Sequence, residues 1–288
     1  MNRAPTPVGI GNRGKTPAMK IGINRWTMPP EWSLAECFRA ANQAGFDSIE
    51  INIAETGELT LTTGEAEVRA IADNARKAGI TLSSLSNGLG WKYPMTANDP
   101  AVRRQGVEVV RAALQAARWL DVDTALCVPG IVGADVRYDV AYERAQAALR
   151  ELAPEAETLG VFIGVENVWN KFLLSPLEMA RFVDEVDSPW VGVYFDAGNV
   201  LAYGYPEHWI EILGPRIKKV HVKDFKAEIG TLQGFANPLQ GDVPWAAVRD
   251  ALDDIGYGGF VTAEVGGYPA APALGLRHIA EALRQFFG

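Results

Sequence analysis

The sequence predicts an α/β protein folded as a single (β/α)8 barrel with a parallel, eight-stranded core. Three observations carry this. Eight short apolar runs recur along the chain, separated by longer amphipathic stretches. The runs are dense in Val, Ile, Phe and Tyr and nearly continuous in hydrophobicity, as strands covered on both faces should be. The same punctuation recurs where a helix stops and a strand starts: "AGF" at 44–46, "AGI" at 78–80 and "LGV" at 159–161. Each places Gly where a helix C-terminus needs a left-handed residue. Alternating units of this kind give a parallel sheet, and eight of them without a second composition regime give one closed barrel. A doubly wound open sheet is the runner-up. It is disfavoured because "GINRWTMPP" puts Trp and Pro where a Gly-rich phosphate loop would follow the first strand.

The elements follow in order. The first strand is "KIGINRW" (20–26), and "SLAECFRAANQAG" after it reads as a helix. Ser33 with Glu36 three residues later forms a capping box, and Gly45 stops that helix. The second and third strands are "SIEINI" (48–53) and "TLSSLSN" (81–87). Asp99–Pro100 starts the next helix, a cap followed by a proline in the first turn. The fourth and fifth strands are "TALCVPG" (124–130) and "VFIGVEN" (161–167). In "SPLEMARFVDEV", Ser175 is the cap, Pro176 the first helical residue and Glu178 the third. The sixth to eighth strands are "VGVYFDAGN" (191–199), "IKKVHVKD" (217–224) and "GFVTAEV" (259–265).

Residues 1–18, "MNRAPTPVGIGNRGKTPA", are rich in Pro, Gly, Arg and Lys and lack an apolar stretch. They read as a flexible N-terminal extension to a catalytic barrel domain at 19–288 rather than as a secretory signal. A start at Met19 and an arm packed under the fold stay open. The whole chain has 288 residues and a formal charge of -8, which argues against a nucleic-acid partner. No apolar run approaches a membrane span, so no membrane partner is expected. Cys37 and Cys127 are far apart, which excludes a disulfide framework and suits a reducing cytoplasm.

Chemistry in such a barrel lives at the carboxyl ends of the strands. Glu166, Asp196, His221 and Glu264 occupy those ends on strands 5 to 8, a contiguous arc. Their intervals are 30, 25 and 43 residues, the first two suiting one strand–helix unit each. The third holds an insertion, "FKAEIGTLQGFANPLQGD", long enough to cover a substrate. Three carboxylates and one imidazole suit one divalent metal, Mn²⁺, Mg²⁺, Co²⁺ or Zn²⁺. Any one of these residues alone would read as a cap or an ion-pair partner; four in register would not, since buried carboxylates need pairing or a metal. Glu50, Asn87, Asn199, Lys223 and Asp224 share the same rim, as do Trp26, Trp91 and Trp169, whose rings suit the apolar face of a sugar or equally a packed core. His208 and His278 lie on helices and read as surface or packing residues.

The stretches "GVENVWNKF", "VGVYFDAGN", "KKVHVKD" and "FVTAEV" resemble the xylose-isomerase-like TIM-barrel superfamily, roughly from Lys20 to the end. They sit nearest the branch of D-tagatose, D-psicose and L-ribulose-5-phosphate 3-epimerases. The resemblance implies a cytoplasmic carbohydrate isomerase that binds one divalent metal, Mn²⁺ first among them, and forms a dimer or tetramer. It implies that Glu166, Asp196, His221 and Glu264 hold the metal, with Glu166 and Glu264 also acting as acid and base. Its substrate would be a small sugar or sugar phosphate, epimerised at C3 through an enediolate. Two departures stand out. Asn199 replaces the histidine usual in free-ketose epimerases, which leans toward phosphosugar relatives, and no arginine follows the strand-7 motif. Lys171, Lys223 and Lys226 are the candidates for a phosphate contact. Related readings are an aldose–ketose isomerase, an inosose dehydratase or lyase on a keto-sugar, and an inactive binding barrel. An endonuclease IV-like repair enzyme would need more histidines and a basic groove.

Overall fold

The computed structural model describes residues 18–288, so the expected extension at 1–18 lies outside the described residues apart from Ala18. Eight parallel strands close into a barrel: β1 (Lys20–Asn24), β2 (Ser48–Ile53), β3 (Thr81–Asn87), β4 (Thr124–Cys127), β5 (Phe162–Glu166), β6 (Val191–Asp196), β7 (Ile217–Val222) and β8 (Phe260–Ala263). Each lies beside its sequence neighbour, and β8 returns to β1 with Lys20 opposite Phe260. Every predicted strand is found, most of them shorter at the carboxyl end. There the chain leaves the ladder to build loops. Residues 197–199, expected as the end of a strand, instead form a helical turn with Val200, and its Asn199 N–H is capped by the Asp196 carboxylate at 2.8 Å.

Eight helices cover the barrel: α1 (Leu34–Ala44), α2 (Glu65–Lys77), α3 (Pro100–Leu120), α4 (Tyr138–Leu159), α5 (Pro176–Asp184), α6 (Pro206–Leu213), α7 (Trp245–Asp254) and α8 (Pro272–Phe287). The expected capping box is present: Ser33 N–H donates to Glu36 at 2.8 Å and Glu36 N–H donates to Ser33 Oγ at 3.3 Å. Asp99 and Ser175 cap α3 and α5 as expected. Gly45, at φ 92°, ends α1 in the left-handed conformation. Ile21, Ile23, Ile49, Ile51, Val193, Phe195, Val220 and Val222 are fully buried, the outward sides of the strands facing the helices.

The alternate residues fill the inside. At the floor they are small: a Cβ on Gly22 would lie 2.6 Å from Ser48 Oγ and 2.9 Å from Thr262 Oγ1. Above the floor sits a polar layer of Asn24, Glu50, Ser84, Tyr194 and His221, all fully buried. Branched aliphatic residues commonly fill barrel interiors. A polar layer is stable here because its members bond one another.

After β7 the chain forms a two-stranded antiparallel ribbon, Asp224–Phe225 against Phe235–Ala236. Asp224 was expected at the substrate. Instead it is fully buried and anchors this ribbon: it accepts from the N–H of Phe225 (2.9 Å) and Val243 (3.0 Å) and from Trp245 Nε1 (3.1 Å). Its backbone follows strand 7, but its side chain turns away from the cavity because the inserted loop needs a buried acceptor. Asp224→Ala strands these donors at about 2 kcal/mol. At about 2–4 °C per kcal/mol for a chain of this size, calorimetry should show a midpoint about 4–8 °C lower. An unchanged midpoint would contradict this anchoring role.

Candidate metal centre

The carboxyl ends of β5 to β8 bring four side chains together. Glu166 ends β5, Asp196 ends β6, His221 is next to last in β7, and Glu264 directly follows β8. One ligand atom from each lies within 4.8 Å of all the others. Strand register sets this up: Asp196 is paired with His221 across β6 and β7. His221 Nδ1 stands 3.2 Å from Glu166 Oε1 and 3.9 Å from Glu264 Oε2. Asp196 Oδ2 is buried and accepts no well-aligned hydrogen bond, although Lys223 Nζ is 2.7 Å away. Lys223 also donates to Glu264 Oε2 at 2.5 Å. Three carboxylates thus converge on one ammonium and one imidazole, a donor set that fits a hard or borderline divalent cation.

The electrostatics follow from this crowding. Burial above all pushes the Glu166 carboxyl up to about 7; the neighbouring Glu264 carboxylate pushes the same way, and His221 opposes it. Glu50 is also fully buried, and burial alone would raise it. The His221 charge and hydrogen bonds from His221, Tyr194 and Ser84 outweigh that and hold it below the ordinary carboxylate range. Lys223 is raised despite its burial, because Asp196 and Glu264 hold its charge.

Above the cluster lies a cavity of about 530 Å³, lined by Trp26, Asn87, Trp91, Glu166, Trp169, Asn199, Lys223 and Glu264 among others. Trp169 Nε1 donates to the Asn199 carbonyl at 2.8 Å, and its ring packs on Phe225 and Phe235 at 5.4 and 5.0 Å between centroids. Asn199 Nδ2 donates to the Asn167 carbonyl at 2.9 Å, and Asn87 Nδ2 to the Leu126 carbonyl at 2.9 Å. Leu232, Phe235 and Ala236 of the insertion line the same cavity, so that loop does reach over the expected face.

Glu50 is the second expected substrate contact placed elsewhere. It lies beneath the cavity, where its Oε2 is 2.6 Å from His221 Nε2. The reason is the strand period of two: Glu50 sits one inward position below Asn52, at the level of His221 rather than at the rim.

A family model described as xylose isomerase-like TIM barrel matches residues 38–286. The chain belongs to that family. Among curated relatives, it is 26% identical over 246 residues to an L-ribulose-5-phosphate 3-epimerase UlaE of Salmonella paratyphi A, covering 83% of this chain and 84% of the relative. The relative of the same name from Shigella flexneri is 28% identical over the same shares. Among solved structures, a D-psicose 3-epimerase in the presence of D-fructose superposes with a TM-score of 0.78 at 22% identity, covering 94% of this chain and 100% of that one. A 3-keto-D-glucoside 4-epimerase from E. coli gives 0.77 at 18% identity, over 93% of this chain and 99% of that one. The 3-epimerases among them, of L-ribulose 5-phosphate and of D-psicose, are the branch that the strand-end motifs resemble.

Several residues around the site lie outside the set of strand-end candidates. Tyr194 closes the interior: its hydroxyl donates to Glu50 Oε1 at 2.5 Å and stands 3.1 Å from Ser84 Oγ. The signal was present, since Tyr194 lies two residues before Asp196 and so faces the same way. Leu126, Val128, Val168 and Phe235 line the cavity as well, and nothing in their local sequence separates them from core residues. Among the described residues no helix is long and apolar enough to cross a membrane.

Proposed function

We propose that this enzyme is an isomerase that epimerises a keto-sugar at the carbon next to its carbonyl, which is C3 in a free ketose. The observation that carries the reading is the convergence of Glu166, Asp196, His221 and Glu264 beneath an aromatic-walled cavity. Those four would hold a divalent cation, Mn²⁺ in first place and Mg²⁺, Co²⁺ or Zn²⁺ in its stead. When bound, such a cation stabilises negative charge developing on neighbouring sugar oxygens. Inversion at carbon needs one group to take a proton and another to return it. Glu166 and Glu264 suit that pair, because β6 and β7 separate their strands and they reach the cavity from different sides. Lys223 balances the carboxylates, and Trp169, packed on Phe225 and Phe235, walls the cavity beside them. A cytoplasmic setting and an assembly of two or four copies belong to the same reading; light scattering checks the second.

The test is proton exchange. Protein with added Mn²⁺ is held in D₂O with a panel of ketoses and ketose phosphates and followed by NMR after the metal is removed. Deuterium at C3 together with a new epimer supports the reading. Exchange at C1 or C2 with aldose formation replaces it by an aldose–ketose isomerase, and loss of water by a dehydratase. Stripping the metal with a chelator should lower exchange by at least about 10²-fold, and Mn²⁺ should restore it. Full activity in the chelated protein would remove the cation from this account.

A further inference from the structure

We propose that the sugar this cavity takes is uncharged and carries a second ring or an apolar group, as a glycoside does, and is not a phosphate ester. This substrate class rests on the epimerase reading and narrows it.

Charge comes first. Among the described residues lining the cavity, Lys223 is the one cationic side chain, and it is already committed to Asp196 at 2.7 Å and Glu264 at 2.5 Å. Three carboxylates, one ammonium and a divalent cation sum to about zero, so a phosphate dianion would find no surplus positive charge. Burying such an anion unpaired costs several kcal/mol per charge. Lys171 and Lys226, the other expected phosphate contacts, are exposed and do not line the cavity, and two further cations are engaged elsewhere. Arg25 donates to the carbonyls of Met28, Pro30 and Trp32, and Lys92 to Glu55. Gly266 is at the rim, but α8 starts only at Pro272 and none of its residues lines the cavity.

Walls and size come next. Trp26 and Trp91 line the cavity yet are 48% and 46% exposed, and Leu232 beside them is 64% exposed. Large apolar side chains left bare around a cavity mouth mark a surface that a ligand covers. At the ~30 Å³ per heavy atom of liquid water, a hexose of twelve heavy atoms takes at most about 360 Å³. The cavity of about 530 Å³ leaves space beyond it, and the exposed indoles are among the walls of that cavity.

A chemical consequence follows. The anomeric carbon of a glycoside is locked as an acetal, so the carbonyl that acidifies the neighbouring C–H must lie on another ring carbon. The substrate is then a keto-glycoside. A preceding reaction must remove two electrons and two protons from a ring secondary alcohol and pass them to an acceptor such as a nicotinamide or flavin.

The experiment compares three probes on the Mn²⁺-loaded enzyme by exchange in D₂O: phenyl 3-keto-β-D-glucoside, D-psicose and L-ribulose 5-phosphate. The aryl keto-glycoside should exceed D-psicose in kcat/KM by about tenfold, the scale of one well-seated aromatic contact. Trp91→Ala should lower the aryl compound about tenfold more than D-psicose. L-ribulose 5-phosphate should be the poorest substrate. If the phosphate ester is preferred, or the aryl group confers no advantage, the inference falls. If no probe exchanges, the epimerase reading fails instead, and binding decides: saturation transfer to phenyl β-D-glucoside, lost in Trp91→Ala, upholds the class, whereas displacement of bound sugar by inorganic phosphate overturns it.

Discussion

Replacing Glu264 with Gln is expected to slow interconversion of the two epimers by about 10³-fold or more, with Glu166→Gln close behind. General acid–base groups contribute about 10²–10⁴-fold, and these two side chains would serve the cation as well. Neither substitution should threaten folding: Glu264 is partly exposed, and Gln keeps the shape of both. A pure loss of metal affinity predicts something different from a loss of proton carriage. Saturating Mn²⁺ would restore most of the rate in the first case and little of it in the second. A two-group inversion makes a finer prediction. With one carboxyl gone, the other still meets the epimer whose hydrogen faces it. Glu264→Gln should therefore retain exchange without inversion on one epimer and lose it on the other. Equal loss on both, in a variant that binds Mn²⁺ normally, would contradict a proton-carrying pair.

The sequence made the barrel legible because its period is redundant. Capping pairs such as Ser33–Glu36 and stops such as Gly45 agree with the apolar runs on either side of them, so each element was supported twice. The strand ends were legible for the same reason. Glu166, Asp196, His221 and Glu264 each lie at or beside the end of an apolar run, and chain order alone makes the four adjacent. Depth was less legible. Glu50 and Asp224 looked like rim residues because they are charged and end or follow strands. What decided otherwise was which side of the pleat each occupies and which neighbours it meets, and both depend on contacts 144 residues away for Glu50 and Tyr194 and 21 away for Asp224 and Trp245. The cavity walls lay beyond local sequence altogether, since an apolar side chain reads the same whether it faces a ligand or a helix.

The depth of Glu50 leads to the second large effect, a loss of metal affinity from a residue that touches no substrate. Its carboxylate meets four donors. Tyr194 and Ser84 hydroxyls take one oxygen at 2.5 and 2.8 Å; Asn24 Nδ2 and His221 Nε2 take the other at 2.5 and 2.6 Å. In the neutral imidazole that a cation requires, an acceptor at His221 Nε2 keeps the one proton there and leaves Nδ1, the atom facing Glu166, as a lone pair. Glutamine cannot stand in, because its NH₂ would point at two donors. Glu50→Gln should therefore weaken Mn²⁺ binding by about 10–100-fold, read from the free-ion signal in electron paramagnetic resonance rather than from activity. It should also lower the stability of the metal-free protein by about 3 kcal/mol, since removing one member of a buried charged network leaves the others unpaired. Should that variant not fold, Tyr194→Phe removes a single donor and leaves the carboxylate in place, so its Mn²⁺ affinity should drop by less than about tenfold. Wild-type affinity in both would mean that the imidazole is oriented by the strand backbone alone, and that the buried polar layer serves the barrel's packing rather than its metal centre.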